Sequence, residues 1–269
     1  MRKLGLIAGN RTFPLLFSSS AKSKNSQLEI VAVAVKGETD KRLAKFVDKI
    51  FWVDIGKLRE VLNIFLEEKV DKIVLVGQIS PYRIFKDRSN WDELMNKIFK
   101  SISDFRPHSI FSEIIKEFES QGLSFINSTT FLEEHLAKEG LNNNLRIEDS
   151  LQEDIASAVE LARKIVDLDI GQTVVFKDKA IVAVEALEGT DNTIKRAYKI
   201  CGPNFLVVKL AKKNQDLRFD VPVIGLNTIK LLKKLKAKAL VIEKGKTLIL
   251  NRDKVLFLSE EANIPILGV

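Results

Sequence analysis

Lys3-Leu-Gly-Leu-Ile-Ala8 is a short, mostly apolar stretch that stops at Gly9-Asn10, and it reads as a first β-strand. Its apolar part is too short for the core of a signal peptide, and Asn10-Arg11 follows directly. Outward from it the same pattern recurs. Pro14 to Ser20 suits a helix with Thr12 as N-cap. Glu29 to Val35 is a second run, rich in Val and Ala, and leads into Lys36-Gly37-Glu38-Thr39-Asp40. Lys49 to Val53 is a third run. Between Lys57 and Lys69 the apolar positions Leu58, Val61, Leu62, Phe65 and Leu66 fall at helical spacing. Lys72 to Val76 is a further Val/Ile run, closed by Gly77-Gln78. Short Val/Ile runs alternating with helices predict an α/β domain with a parallel, doubly wound sheet.

Sheets of this kind bind ligands at the carboxyl ends of their strands. Those ends carry Gly9-Asn10, Lys36 to Asp40 and Gly77-Gln78. Glycine lets a phosphate or sugar approach the backbone, and a following helix N-terminus favours anions. The same glycines are equally expected where a chain simply turns tightly. The first turn lacks the full G-x-G-x-x-G, so no dinucleotide fingerprint is assigned. Residues 91–120 are helical in pattern, with Leu94, Ile98, Ile102 and Phe105 on one face and Ile110, Ile114, Ile115 and Phe118 on another. Phe51, Trp52, Phe85, Trp91, Phe99, Phe105, Phe111 and Phe118 are candidates to line a greasy groove, although ordinary core is the commoner use of each.

The second half is also mixed. Gly140 to Glu148 is polar and turn-rich, and the domain boundary is placed near residue 130, giving domains 1–130 and 131–269. Ser150 with Glu153 reads as a capping box opening a helix to about Val166. Thr173 to Phe176 and Ala180 to Val184 read as a hairpin around Lys177-Asp178-Lys179. Strands at Phe205 to Lys209, Ala239 to Ile242 and Thr247 to Leu250 alternate with helices at Asn192 to Lys199, Asn227 to Leu235 and Arg252 to Asn263.

The 269 residues suit two domains, and a 45% apolar share is enough for real cores. No apolar run approaches the ~20 residues that span a bilayer. With one cysteine, Cys201, an internal disulfide is excluded, which fits a reducing compartment. Two histidines, His108 and His135, leave little for a His-rich zinc or iron site. A metal, if used, is then a hard cation such as magnesium, held by carboxylates and substrate phosphates. The net charge of +7 suits phosphorylated or anionic-surface partners, or reflects a Lys- and Glu-rich genome. The lysines are spread along the chain, which argues against a nucleic-acid stripe.

Two segments carry chemistry. In Ala183-Val-Glu-Ala-Leu-Glu-Gly-Thr-Asp191 a strand brings Glu185 and Glu188 into a glycine turn, with Thr190 or Asp191 as helix caps. Carboxylates at a strand end are placed to hold a hard metal or act on water. A plain capped turn explains Thr190 and Asp191 but explains Glu185 and Glu188 less well. The second segment, Val208 to Pro222, packs Lys209, Lys212, Asp216, Arg218 and Asp220 after an apolar strand. Cations that neutralise phosphate beside carboxylates that bring a metal are what pyrophosphate hydrolysis needs. A solvated loop with surface ion pairs is the competing reading.

Across both segments the chain resembles the LpxI-type UDP-2,3-diacylglucosamine pyrophosphatases of lipid A biosynthesis. The matches, in order, are Gly5-Leu-Ile-Ala-Gly-Asn10, Val31-Ala-Val-Ala-Val-Lys-Gly-Glu-Thr-Asp40, Asp169-Ile-Gly-Gln-Thr-Val174, Ala183 to Asp191, Lys209-Leu-Ala-Lys212, Gln215-Asp-Leu-Arg-Phe-Asp220 and Pro222-Val-Ile-Gly225. Arg11 stands where Gly-Asn-Gly would be more typical. The resemblance implies a Rossmann-like N-terminal domain and a distinct C-terminal α/β domain. It implies magnesium-supported hydrolysis to UMP and 2,3-diacylglucosamine 1-phosphate. On it, Asp220 and Asp216, helped by Glu188 and Asp191, are expected to position magnesium (Asp220, Asp216 and Glu188 as ligands) and the attacking water. Lys209, Lys212, Arg218 and Thr190 are expected on the pyrophosphate side. Gly9, Asn10, Lys36, Gly37, Thr39, Asp40, Gly77 and Gln78 are expected on the nucleotide or sugar. The expected setting is cytoplasmic, with transient contact at the inner membrane surface, no nucleic acid, and a homodimer as the family's pattern. Two rivals stay open: a nucleotide-sugar or dinucleotide enzyme of another reaction class, and a non-enzymatic lipid-binding protein.

Overall fold

The computed structural model describes residues 2–79 and 88–269. The chain divides into two compact units, Met1–Leu132 with Leu217–Asp220, and Glu133–Asp216 with Val221–Val269.

The first unit is built on β1 (Lys3–Ala8), β2 (Glu29–Val35), β3 (Lys49–Val53), β4 (Lys72–Val76) and β5 (Ser124–Phe125). All pair in parallel, in the order β3-β2-β1-β4-β5. Six of the seven β2 residues are buried, as a parallel strand covered on both faces requires. On one face Ile7, Val31, Val33, Ile73 and Leu75 pack with Phe65, Ile98, Ile114 and Phe118. The alternate residues Leu4, Leu6, Ile30, Ala32 and Val74 are buried on the other. The helices are α1 (Phe13–Lys24), α2 (Leu58–Glu67), α3 (Glu93–Ser101) and α4 (Pro107–Glu119).

Three local expectations change here. Thr12 holds the N-cap position of α1, but its side chain makes no capping bond. The helix continues to Lys24 through a polar tail that hydrophobic spacing cannot register; Lys22 and Lys24 in its last turn suit the negative C-terminal end. Residues 91–120 form two helices, because Pro107 drives the preceding Arg106 to an extended ψ of 143°. Phe105 therefore falls in the break and is 53% exposed. Among the proposed groove aromatics, Phe99 and Phe118 are core. Trp91 lies on Phe99 with centroids 4.3 Å apart, and Phe111 stacks on Phe219 at 5.4 Å. Phe85 lies outside the described residues.

The second unit carries β6 (Gly140–Leu141), α5 (Asp149–Asp167), β7 (Thr173–Lys177), β8 (Ala180–Val184), α6 (Thr190–Cys201), β9 (Leu206–Lys209), β10 (Val223–Ile224), α7 (Leu226–Leu235), β11 (Ala239–Ile242), β12 (Leu248–Ile249), α8 (Arg252–Glu261) and β13 (Ile266–Gly268). Its six-stranded sheet has the order β6-β13-β11-β9-β7-β8. Strands β13, β11 and β9 are mutually parallel, while β6, β7 and β8 run antiparallel to their neighbours. Strands β10 and β12 form a separate parallel pair. Asp178 and Lys179 both take positive φ, 49° and 64°, at the β7–β8 turn, the backbone of a tight two-residue hairpin. The Ser150–Glu153 capping box does not form: Glu148 is the N-cap of α5, without a side-chain bond, and Ser150 lies in the first turn. Likewise Gly189, at φ 79°, is the N-cap of α6, so Thr190 and Asp191 are helical residues of its first turn.

Candidate active site

At the carboxyl end of the first sheet, β1 and β4 continue side by side past their last paired residues. Gly9 N–H donates to Val76 O at 2.8 Å and Asn10 N–H to Gln78 O at 2.7 Å. A Cβ at Gly9 would lie 2.6 Å from Gln78 O, and one at Gly77 would lie 2.8 Å from Asn10 O. Backbone proximity alone thus accounts for both glycines. Arg11 holds a φ of 65°, the left-handed backbone for which glycine is the usual choice. Asn10 Nδ2 donates to Glu38 Oε2 at 2.8 Å, while Asn10 Oδ1 is buried without a hydrogen-bond partner among the described residues.

The Lys36–Asp40 loop is braced within its own unit. Buried Thr39 accepts from Val35 N–H at 2.9 Å and donates to Ala8 O at 2.5 Å. Gly37 makes the turn at φ 75°. Lys36 Nζ pairs with Asp54 at 2.8 Å across exposed surface. Asp40 accepts from Arg42 N–H at 2.9 Å and from its guanidinium at 2.6 Å; these bonds hold its carboxyl below the usual carboxylate range. Beside this loop an apolar cavity of about 70 Å³ is lined by Val35, Val53, Ile55, Leu58, Ile79 and Phe111, among others.

Arg218 and Asp220 belong to the first unit, and Asp216 to the second. Ser128 anchors the Leu217–Asp220 segment: its N–H donates to Leu217 O at 2.8 Å, and its Oγ lies 2.5 Å from Leu75 O and 2.9 Å from Arg218 O. The Arg218 guanidinium lies 3.3 Å from Glu119.

In the second unit the structure gathers one polar cluster from three sequence-distant segments. Lys209, at the end of β9, is only 8% exposed. Among the described residues its one side-chain hydrogen bond is to Thr190 Oγ1, at 2.8 Å. Thr190 donates to Glu185 Oε1 at 3.0 Å, and Thr173 Oγ1 lies 3.2 Å from Thr190 Oγ1. Glu185 Oε2 is buried with no partner among the described residues. Glu188 is engaged at both oxygens, by Arg196 at 2.6 Å and by Ala186 N–H at 3.1 Å. The Arg196 guanidinium, foremost, brings its pKa down to about 2. Asp191 Oδ1 meets Thr228 Oγ1 at 3.4 Å. Lys212 pairs with Asp169, and its backbone N–H donates to Gln215 at 2.9 Å.

Sequence reasoning marked Glu185 as a strand-end acid suited to chemistry but gave it no committed role, and it did not assign Thr173 or Arg196 to a site. Glu185 and Thr173 lie within stretches that carry the family resemblance, so position in the motif was the available signal. Arg196 lies five residues beyond Asp191 in α6, and nothing local marks it. Among the described residues, no three His, Cys, Asp or Glu side chains form a group that could hold a metal ion. No helix of the described residues is long and apolar enough to cross a membrane.

Comparison with known proteins adds the family. The model of the LpxI N-terminal domain matches residues 3–135, and that of the LpxI C-terminal domain matches residues 138–267. The UDP-2,3-diacylglucosamine pyrophosphatase LpxI of Caulobacter vibrioides is 25% identical over 287 residues, covering 100% of this chain and 98% of that protein. Among solved structures, the biotin carboxylase domain of the Hydrogenobacter thermophilus 2-oxoglutarate carboxylase gives a TM-score of 0.26 at 13% identity, covering 74% of this chain and 40% of that one. The biotin carboxylase subunit of pyruvate carboxylase gives 0.27 at 16%, covering 75% and 43%. The chain thus spans about two fifths of the length of those structures, and likeness this weak carries no argument. The two LpxI domain models follow one another along almost the whole sequence, and the chain belongs to the LpxI family.

Proposed function

We propose that this protein hydrolyses the pyrophosphate bond of UDP-2,3-diacylglucosamine, releasing UMP and 2,3-diacylglucosamine 1-phosphate in lipid A biosynthesis. The observation that carries the reading is family membership along the whole chain, together with the name of the full-length Caulobacter relative. The Lys209 cluster supports it. Pyrophosphate cleavage builds negative charge on the leaving phosphate, and a preorganised, desolvated cation stabilises that charge most. One ammonium proton is directed at Thr190; the two others have no partner among the described residues and suit phosphate oxygens. Lys212 and Arg218 are the further cations proposed for phosphate, and Asp216 and Asp220 the acids proposed for the attacking water; Arg218 and Asp220 lie in the first unit. The apolar cavity beside Val35 and Val53 suits part of an acyl chain.

The donor set fits magnesium of the substrate-borne kind, which needs only one or two protein carboxylates and takes its other ligands from phosphates and water. Asp220, Asp216 and Glu188 are the carboxylates that would hold it; Glu188 also carries the Arg196 and Ala186 N–H bonds. The ion would neutralise phosphate charge. Substrate with two acyl chains places the enzyme's work at the cytoplasmic surface of the inner membrane, as a peripheral visitor. The test is incubation of purified protein with UDP-2,3-diacylglucosamine, with and without magnesium, following UMP. Wild type releases UMP, and folded Asp220→Ala does not. Near-normal turnover by Asp220→Ala removes that residue from the mechanism, and no UMP from wild type refutes the activity.

A further inference from the structure

We infer that Glu185 is a positioning residue for Lys209, acting through the hydroxyl of Thr190. The inference rests on the proposed pyrophosphatase reading for the role of Lys209, and on the following geometry for the rest.

Three side chains converge on Thr190 Oγ1: Lys209 Nζ at 2.8 Å, Glu185 Oε1 at 3.0 Å and Thr173 Oγ1 at 3.2 Å. Proton accounting fixes the direction of each bond. An ammonium only donates and a carboxylate only accepts. The single Thr190 proton therefore goes to Glu185, and Lys209 donates to the Thr190 lone pair. Thr173 must then be the donor in its contact with Thr190. The result is a one-way chain, Lys209 to Thr190 to Glu185. An ionised acceptor at its end strengthens the bonds before it.

The chain joins separate elements. Thr173 and Lys209 face each other across the β7–β9 ladder, Thr190 opens α6, and Glu185 directly follows β8. The Glu185 backbone is itself held: its N–H donates to Thr173 O at 2.8 Å, and Gly171 packs so closely that a Cβ there would overlap the Glu185 carbonyl. Rotation of the buried Lys209 stem is thus limited by a hydroxyl whose own direction Glu185 sets. The buried, unpartnered Glu185 Oε2 is an unfavourable arrangement that ordinary core packing would remove. A carboxylate that serves the cluster accounts for it.

The test is a mutant cycle on UMP release by the full-length protein. Glu185→Gln keeps the shape but removes the charge; it lowers kcat about tenfold, the effect of weakening one charge-assisted bond, and changes KM less than about twofold. In a Lys209→Ala background the same substitution has no further effect, because the group it positions is gone. Thr190→Val reproduces the loss and Thr190→Ser restores activity to within about twofold, since the relay needs only the hydroxyl. Wild-type kcat in Glu185→Gln, or losses that multiply with Lys209→Ala, overturns the inference. If Glu185→Gln does not fold, the Thr190→Val and Thr190→Ser pair, crossed with Lys209→Ala, decides the matter by the same criterion. If wild type releases no UMP, the proposed activity has failed instead, and the relay is read by calorimetric binding of UMP. Weakening by Glu185→Gln only when Lys209 is present supports it, and equal weakening in both backgrounds refutes it.

Discussion

Replacing Gly171 by Ala probes the close approach that holds Glu185. The added Cβ would overlap the Glu185 carbonyl oxygen and lie 2.7 Å from its carbon and 3.1 Å from its Cβ. That first carbon is about 0.7 Å short of ordinary van der Waals contact, and two of the three obstructing atoms are backbone, so no side-chain rotation relieves the clash. The segment after β8 must move away. Overpacking of this kind costs about 1–3 kcal/mol, and stretching the Glu185 N–H to Thr173 O bond adds about 1 kcal/mol. The expected loss is therefore about 2–4 kcal/mol by urea unfolding, with a fall in melting temperature of about 5–15 °C. UMP release should fall further than the folded fraction does, since Glu185 carries the Thr190 hydroxyl with it. Gly225→Ala is the internal comparison. Its Cβ would meet only Leu250 Cβ, at 3.8 Å, on extended backbone at φ −153°, and it should cost less than about 1 kcal/mol. If Gly171→Ala unfolds within about 0.5 kcal/mol of wild type, the close approach and the anchoring of Glu185 drawn from it are wrong.

Thr39→Val keeps the shape of a buried side chain but strands both Val35 N–H and Ala8 O. It should destabilise the first unit by about 2–4 kcal/mol in urea, and a loss under about 0.5 kcal/mol would show that water takes over both bonds. Glu188, at about 2 in the folded chain against an ordinary 4.5, is ionised more readily folded than unfolded. The stabilisation from its Arg196 pair is complete above pH 4.5 and is lost as pH falls towards 2. Arg196→Ala should raise the Glu188 midpoint towards 4.5 in a carboxyl carbon NMR titration and remove that share of the acid dependence; an unmoved midpoint refutes the pairing.

The alternation of Lys3–Ala8, Glu29–Val35, Lys49–Val53 and Lys72–Val76 with amphipathic helices made the parallel α/β sheet legible, because burial on both faces leaves a continuous apolar run that needs no partner to be read. The hairpin at Asp178-Lys179 was legible for the same local reason. The strands Ser124–Phe125, Val223–Ile224 and Ile266–Gly268 were not: two or three residues carry no period, and they exist because a neighbouring strand offers hydrogen bonds. Caps failed in the same way at Ser150 and Thr190, where the chain enters the helix from a direction the motif does not specify. For the candidate site, the sequence alone determined which residue types were concentrated, acids and glycine from Glu185 to Asp191 and cations with acids from Lys209 to Asp220. Only the tertiary structure decided how they are used. It spent Glu188 on Arg196 and Lys212 on Asp169, and it set Lys209 on Thr190 and Thr190 on Glu185. Chemistry is written in side chains, but a hydrogen bond is short and directional, and its partner is chosen by which backbones the sheet brings within 3 Å.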